Sequence, residues 1–274
     1  MAKREITSDS GATIKSPNAP KAQTREMERM IAFMVAEITT RFKNNVIKKL
    51  HKSTVAKFSD AQVGNFAVIL TKLAKQTNRR LLRQFDDDTI DKMVSKILNK
   101  VDARNQKELY TIVERRIGIP SKELVATEGL KANINALRME TAQWVKKLRD
   151  DTISEYTSNT LREMAIGGSL ESLMSGLSAM AEKRKNHAKF TARNQISNFN
   201  AVTGKIRAQN LGITTAIWRT SEDERVRHSH VVRDGKEFDI SKGLYSSTDR
   251  KTIIPGIDYQ CRCYAEYIIP EDNA

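Results

Sequence analysis

The chain has 274 residues, 39% hydrophobic and only 6% aromatic, enough for one large or two modest domains but thin for a single well-filled globule. Its 47 Lys and Arg against 33 Asp and Glu leave a formal charge of +14, which favours polyanions such as nucleic acid, acidic protein surfaces or anionic lipid. No run approaches the roughly eighteen apolar residues of a membrane span, the start Met1-Ala2-Lys3-Arg4-Glu5 lacks the apolar core of a secretion signal, and two cysteines one residue apart make no disulfide framework, so we expect no membrane partner and synthesis in a reducing cytoplasm.

Residues 1–24 carry Ser, Thr, Gly, Pro and Lys with few large apolar groups and read as a disordered tail or an arm that orders on a partner. From Arg25, Met27, Met30, Ile31, Met34, Ile38 and Phe42 recur at helical spacing. That stripe is either ordinary bundle core or a soft apolar strip for a partner. Ser59-Asp60-Ala61-Gln62 has the form of a capping box and predicts a helix carrying Val63, Phe66, Leu70 and Leu73. Asp86-Asp87-Asp88 places negative charge where a helix N-terminus favours it, ahead of Ile90, Met93, Val94, Ile97, Leu98 and Val101, and Gly118 with Pro120 ends the region. Leu130, Ile134, Leu137, Thr141, Trp144 and Leu148, running towards Tyr156 and Met164 without Gly or Pro, predict one long helix over 128–166. Gly167-Gly168 should break it, and Ser169 should cap a short helix holding Leu170, Leu173, Met174, Leu177 and Met180. The basic run Lys183-Arg184-Lys185, a candidate contact for DNA or another polyanion, is expected to lead into a separate helix from about His187 to Leu211, with Gly212 as its C-cap.

Beyond Gly212 the pattern changes to strand. Ile213 to Trp218 is β-prone, Val231-Val232-Arg233, Asp234-Gly235 and Lys236-Glu237-Phe238 read as a hairpin with a two-residue turn, and Tyr264 to Ile269 reads as a closing strand. The expected fold class is α+β: a disordered tail over 1–24, an elongated helical region over 25–164, and a small module over 165–274 with helices packed on a short antiparallel sheet.

Ligand-type residues are scarce and converge on this last stretch. In an extended segment residues i and i+2 face the same way. Cys261 and Cys263 would then present two sulfurs together with Arg262 on the opposite face, and His228 and His230 would pair likewise. Meeting across a hairpin, the four make a Cys₂His₂ set suited to tetrahedral zinc. The alternatives are half-buried thiols with hydrogen-bonded histidines, a thiol nucleophile, or metal-assisted phosphodiester cleavage by a His with Asp223 or Asp234. Asp223, Glu224, Arg225, Arg227 and Arg262 form a mixed-sign cluster whose simplest role is to fix the loop after Trp218.

Several separated features occur together in order: Thr191-Ala192-Arg193-Asn194-Gln195 on a helix, Gly212, Trp218, Asp223, Val226-Arg227, His230, Asp234-Gly235, Pro255 and Cys261-Arg262-Cys263. This pattern, over about residues 165 to 270, resembles the C-terminal domain of phage minor head proteins, the head-morphogenesis family of the Mu F and SPP1 minor head proteins. Gln195 stands where an acidic residue is common. The resemblance implies a non-enzymatic component inside the phage head, near the portal vertex, made in the host cytoplasm and assembled with portal, capsid and scaffold proteins. It also implies contact with packaged DNA, without sequence specificity, and a part in packaging or ejection. The chain ends eleven residues past Cys263, from which we expect no toxin or enzyme domain after the module. Two other readings compete: a sequence-independent DNA-binding protein ejected with the genome, and a metal-dependent nuclease.

Overall fold

The structure, a computed structural model, describes residues 12–50, 79–126, 128–166 and 170–270, with positions 68, 72, 76 and 77 between them. The helix expected to open at Ser59-Asp60-Ala61-Gln62 and the break at Gly167-Gly168 lie outside the described residues. Among those described, the order is β1 (Thr13–Lys15), α1 (Lys21–Leu50), α2 (Asp87–Ile117), α3 (Ser121–Ala126), α4 (Lys131–Ala165), α5 (Leu170–Asn210) and β2 (Thr215–Arg219). There follow α6 (His228–Val231), β3 (Glu237–Asp239), β4 (Leu244–Ser246), β5 (Lys251–Ile253) and β6 (Tyr264–Ile268). The architecture is α+β, with long helices ahead of a small antiparallel sheet.

The chain divides into two compact units, one of Met1–Arg25, Lys96–Met139 and Arg193–Ala274, the other of Glu26–Ser95 and Glu140–Ala192. The contiguous division expected at 164/165 is therefore corrected. α2, α4 and α5 each give residues to both units, so no single cut in the sequence separates them.

The second unit is helical. The stripe Met27, Ile31, Met34, Ile38 and Phe42 of α1 is buried, as are Val145, Leu148, Ile153 and Tyr156 of α4. Tyr156 joins the two helices: its hydroxyl meets Thr39 Oγ1 at 2.7 Å and its ring packs edge-on against Phe42 at 5.7 Å. Bundle core, and not a partner strip, is thus what the methionine stripe forms. Buried Arg149 donates to the Phe85 carbonyl at 2.7 Å and to Asp87 at 2.9 Å, tying α4 to the acidic start of α2. α4 matches the long helix expected over 128–166, although Trp144 is exposed and Ala142 and Val145 take the buried face.

The first unit contains the four-stranded sheet, in order β1-β6-β2-β3, every pair antiparallel. Alternation sets its faces. Ala216 and Trp218 of β2 are buried, as are their partners Tyr267 and Ala265 of β6. The opposite face carries Arg219 and Glu266, paired at 2.6 Å. A second hairpin joins β4 to β5. Beside the sheet lies the C-terminal part of α5, ended by a Schellman motif: the Ile213 N–H donates to Ala208 O, the Gly212 N–H to Gln209 O, and Gly212 takes φ +79°. Arg207, 1% exposed, donates to Asp102, Asn105 and Glu128 at 2.6 to 2.8 Å, so a buried charge links α5 to α2 and to the segment after α3.

Three expectations are corrected here. The described part of the tail is folded: Thr13–Lys15 pairs with β6 (Ile14 opposite Tyr267), and Ile14 is fully buried. Its burial on the sheet edge outweighs the polar composition that suggested disorder. Lys183-Arg184-Lys185 does not separate two helices, because α5 is continuous through it. Arg184 pairs with Glu155 at 2.5 Å and neither Gly nor Pro interrupts the run. Finally, Val231-Val232 is not a strand. His228–Val231 is one helical turn with both valines exposed, and β3 pairs with β2 instead of with the 231–233 segment. The Asp234-Gly235 turn serves that pairing: Gly235, at φ +73°, donates to Trp218 O, and the Trp218 N–H donates to Lys236 O.

Candidate functional site

The lead into β6 places the cysteines. Residues 261–263 alternate inward, outward, inward: Cys261 and Cys263 are each 7% exposed, while Arg262 is exposed between them. Arg262 grips Asp223 bidentately, at 2.5 and 2.6 Å, and Asp223 also accepts the Arg225 N–H at 2.9 Å. The Asp223 carboxyl is accordingly held below its ordinary range, first by the Arg262 bond. The segment before Cys261 is pinned from several sides. Gly256 (φ +91°) lies so close to α5 that a Cβ there would meet Ala201 Cβ at 2.9 Å, and its carbonyl accepts from Ser197 at 3.0 Å. Asn194 accepts the Gln260 N–H at 3.3 Å, and the Cys261 N–H closes a turn on Asp258 O at 2.9 Å. Pro255 is buried beside Gly256.

The turn of α6 delivers His230, 2% exposed, between the two sulfurs. Its Nδ1 lies 3.5 Å from Cys261 Sγ and 3.4 Å from Cys263 Sγ. Its Nε2 faces Asp258 Oδ2 at 3.3 Å, and its ring stands edge-on to Trp218 at 5.5 Å. Asp258 also binds Arg227 at 2.7 Å, and Arg227 reaches on to the Tyr259 carbonyl. The other side of Trp218 carries Arg233, buried, 5.2 Å from the ring and held by Asp249 and the carbonyls of Ser229, Leu244 and Lys251. Asp234 accepts the Thr220 N–H at 2.7 Å.

The thiols share their protons unequally. Hydrogen bonding from Cys263 draws the Cys261 thiol down to about 5, aided by His230 and the backbone N–H groups of Cys263 and Gly256. The same bond, with burial, pushes Cys263 up. The Cys261 contact, with help from Asp258, raises His230 despite burial. Two sulfurs and an imidazole fixed by a carboxylate thus meet at one point, a donor set for a soft metal ion.

Sequence reasoning placed Cys261, Cys263 and His230 together, and the structure brings these three into one group. His228 does not join it: on a helical turn, residues i and i+2 point apart, and His228 is exposed. Asp258, which orients His230, and Arg233, which underlies Trp218, were not singled out in the sequence. The only hint of Asp258 is its place between Pro255-Gly256 and Cys261. Of the basic run, Arg184 is largely buried against Glu155, whereas Lys183 and Lys185 are exposed beside Glu155 and Glu182.

Residues 154–266 match the model of the family described as Phage Mu protein F like protein. This part of the chain is similar to the Phage Mu F-like family. The matched stretch contains every residue of the Trp218–His230–Cys261–Cys263 group. A Haemophilus influenzae protein described as uncharacterized is 26% identical over 221 residues, covering 80% of this chain and 48% of its own length. The chain thus spans about half the length of the curated relative it matches. No solved structure matches. No helix among the described residues is long and apolar enough to cross a membrane.

Proposed function

We propose that this chain is a minor head protein of a phage: a structural, non-enzymatic component inside the capsid near the portal, assisting head assembly and the packaging or ejection of DNA. The observation that carries this reading is the match of residues 154–266 to the Mu F-like family. The chemistry of the module supports it. Its conspicuous charged side chains are engaged within the module: Arg233 with three carbonyls and Asp249, Arg227 with Asp258 and the Tyr259 carbonyl, Arg262 with Asp223. Groups fixed in this way give a surface of constant shape for portal, capsid or scaffold proteins.

The excess of 14 positive charges supports contact with packaged DNA through phosphates, without base readout. It equally favours the reading of a DNA-binding protein that leaves with the genome. Binding that vanishes well below physiological salt in a gel-shift titration supports the head-component reading, and binding that persists supports the other. For a metal-dependent nuclease, the acidic groups nearest His230 are Asp249 and Asp258, and both are already neutralised by arginines. The deciding experiment is to image assembled particles with symmetry relaxed. Density for the chain at the portal vertex inside the head is expected. Complete, infectious particles formed without the protein would overturn the proposal.

A further inference from the structure

The geometry points to a zinc site built from three protein ligands, His230 Nδ1, Cys261 Sγ and Cys263 Sγ, with Asp258 as the carboxylate that orients the histidine and water as the fourth ligand. This goes beyond the head-protein reading and does not rest on it.

The separations come first. Zn–S bonds of about 2.3 Å and a Zn–N bond of about 2.0 Å at tetrahedral angles place a sulfur and a nitrogen about 3.5 Å apart. Nδ1 lies 3.5 and 3.4 Å from the two sulfurs, and all three ligand atoms are within 4.8 Å of one another. An ion fits among them with little movement of the backbone.

The surroundings match a metal site as well. A metal-bound imidazole usually donates its other N–H to a carboxylate or carbonyl, which fixes the tautomer. His230 Nε2 faces Asp258 at 3.3 Å, with Nδ1 turned towards the two sulfurs. Asp258 is in turn fixed by Arg227. Trp218, fully buried, packs its ring edge-on against His230 at 5.5 Å and closes the site on that side.

The ligand set selects the metal. Two thiolates and an imidazole suit zinc and disfavour magnesium or calcium. The second group of ligand-type atoms, His230 with Asp249 and Asp258, is ruled out because Arg233 and Arg227 already occupy its carboxylates. Among the described residues no fourth His, Cys, Asp or Glu joins the group of His230, Cys261 and Cys263. Both cysteines border a cavity of about 190 Å³ that also touches Ser197, Asn200 and Gly256, large enough to supply water to the remaining position.

The test uses the full-length protein, stripped of metal with a strong chelator, kept reduced, and titrated with Co²⁺ and then Zn²⁺. One Co²⁺ per chain is expected, with a thiolate-to-cobalt charge-transfer band in the near ultraviolet and visible bands of tetrahedral intensity, all displaced by one equivalent of Zn²⁺. Asp258→Asn should weaken zinc by about ten- to a hundredfold while keeping the circular dichroism of the parent. The Cys261→Ser/Cys263→Ser double variant should lose the charge-transfer band, and His228→Asn should leave the titration unchanged. A folded wild-type protein that shows no cobalt spectrum overturns the proposal even if every variant fails to fold. An unaltered spectrum in the double-serine variant also overturns it, and an equal effect of His228→Asn and His230→Asn overturns the three-ligand set.

Discussion

Arg262 and Asp223 are joined by two hydrogen bonds, of 2.5 and 2.6 Å, across 39 residues of chain. The arginine sits between two cysteines whose side chains point the other way, so one short segment holds a surface loop with one face and presents sulfurs with the other. Lysine cannot reproduce the planar fork. Arg262→Lys should leave the melting temperature little changed but make the chain near residues 220–227 more susceptible to limited proteolysis. Because Arg262 depresses the Asp223 carboxyl, the hold is complete above the ordinary carboxylate range and is lost as pH falls through the lowered value. Unchanged cleavage in the lysine variant would remove the loop-holding role.

Arg233 is 1% exposed, and Asp249 is its only carboxylate partner among the described residues. Replacing the acid leaves a buried guanidinium with carbonyls alone. Asp249→Asn should destabilise the protein by about 2 kcal/mol near neutral pH, measured by urea unfolding. The bond to Arg233 lowers the Asp249 pKa from 3.8 to about 2, so its contribution is full above about 4 and lost as pH falls towards 2. The gap between parent and variant should therefore shrink between about pH 4 and about pH 2. A constant gap would show that the charge is not what matters.

Arg207 joins Asp102, Asn105 and Glu128 from a buried position. Arg207→Met should cost about 3 kcal/mol, since two carboxylates lose their cation. Further change of Glu128 to Gln should recover part of that loss. Additive losses in the double variant would argue against coupling between the two.

Gly256→Ala combines a positive φ with a contact 2.9 Å from Ala201 Cβ. We expect a loss of about 2 kcal/mol in thermal unfolding. Adding Ala201→Gly should relieve the contact but not the backbone strain, so recovery should be partial. Full recovery would mean that the φ angle carries no cost here.

Ile14 is fully buried on the edge strand that covers β6. Ile14→Ala should cost about 3 kcal/mol. Removing residues 1–16 should expose the β6 edge and promote aggregation. A truncated protein of undiminished stability would restore the view of this segment as a dispensable tail.

Much of the helical frame was legible in the sequence because it depends on local spacing. The α1 and α2 stripes, the long α4 and the Gly212 cap follow from a 3.6-residue period and from one residue that tolerates positive φ. The continuity of α5 was not, since a cluster of like charges reads as a break until Glu155 is seen to neutralise it. β1 escaped notice for a similar reason: three residues have too little pattern of their own, and only β6 gives them a partner.

At the site, the sequence by itself determined the ingredients: Cys261, Arg262 and Cys263 alternate in any extended segment, so two sulfurs face one way whatever the fold. Which histidine meets them was decided by tertiary structure. The same alternation argument fails for His228 and His230, because the chain turns helically at Arg227 and sends the two rings apart. Asp258 became part of the site only when the turn before Cys261 folded under His230. Spacing along the chain fixes direction over two or three residues, whereas the meeting of residues some 30 positions apart depends on the packing of the whole sheet-bearing unit.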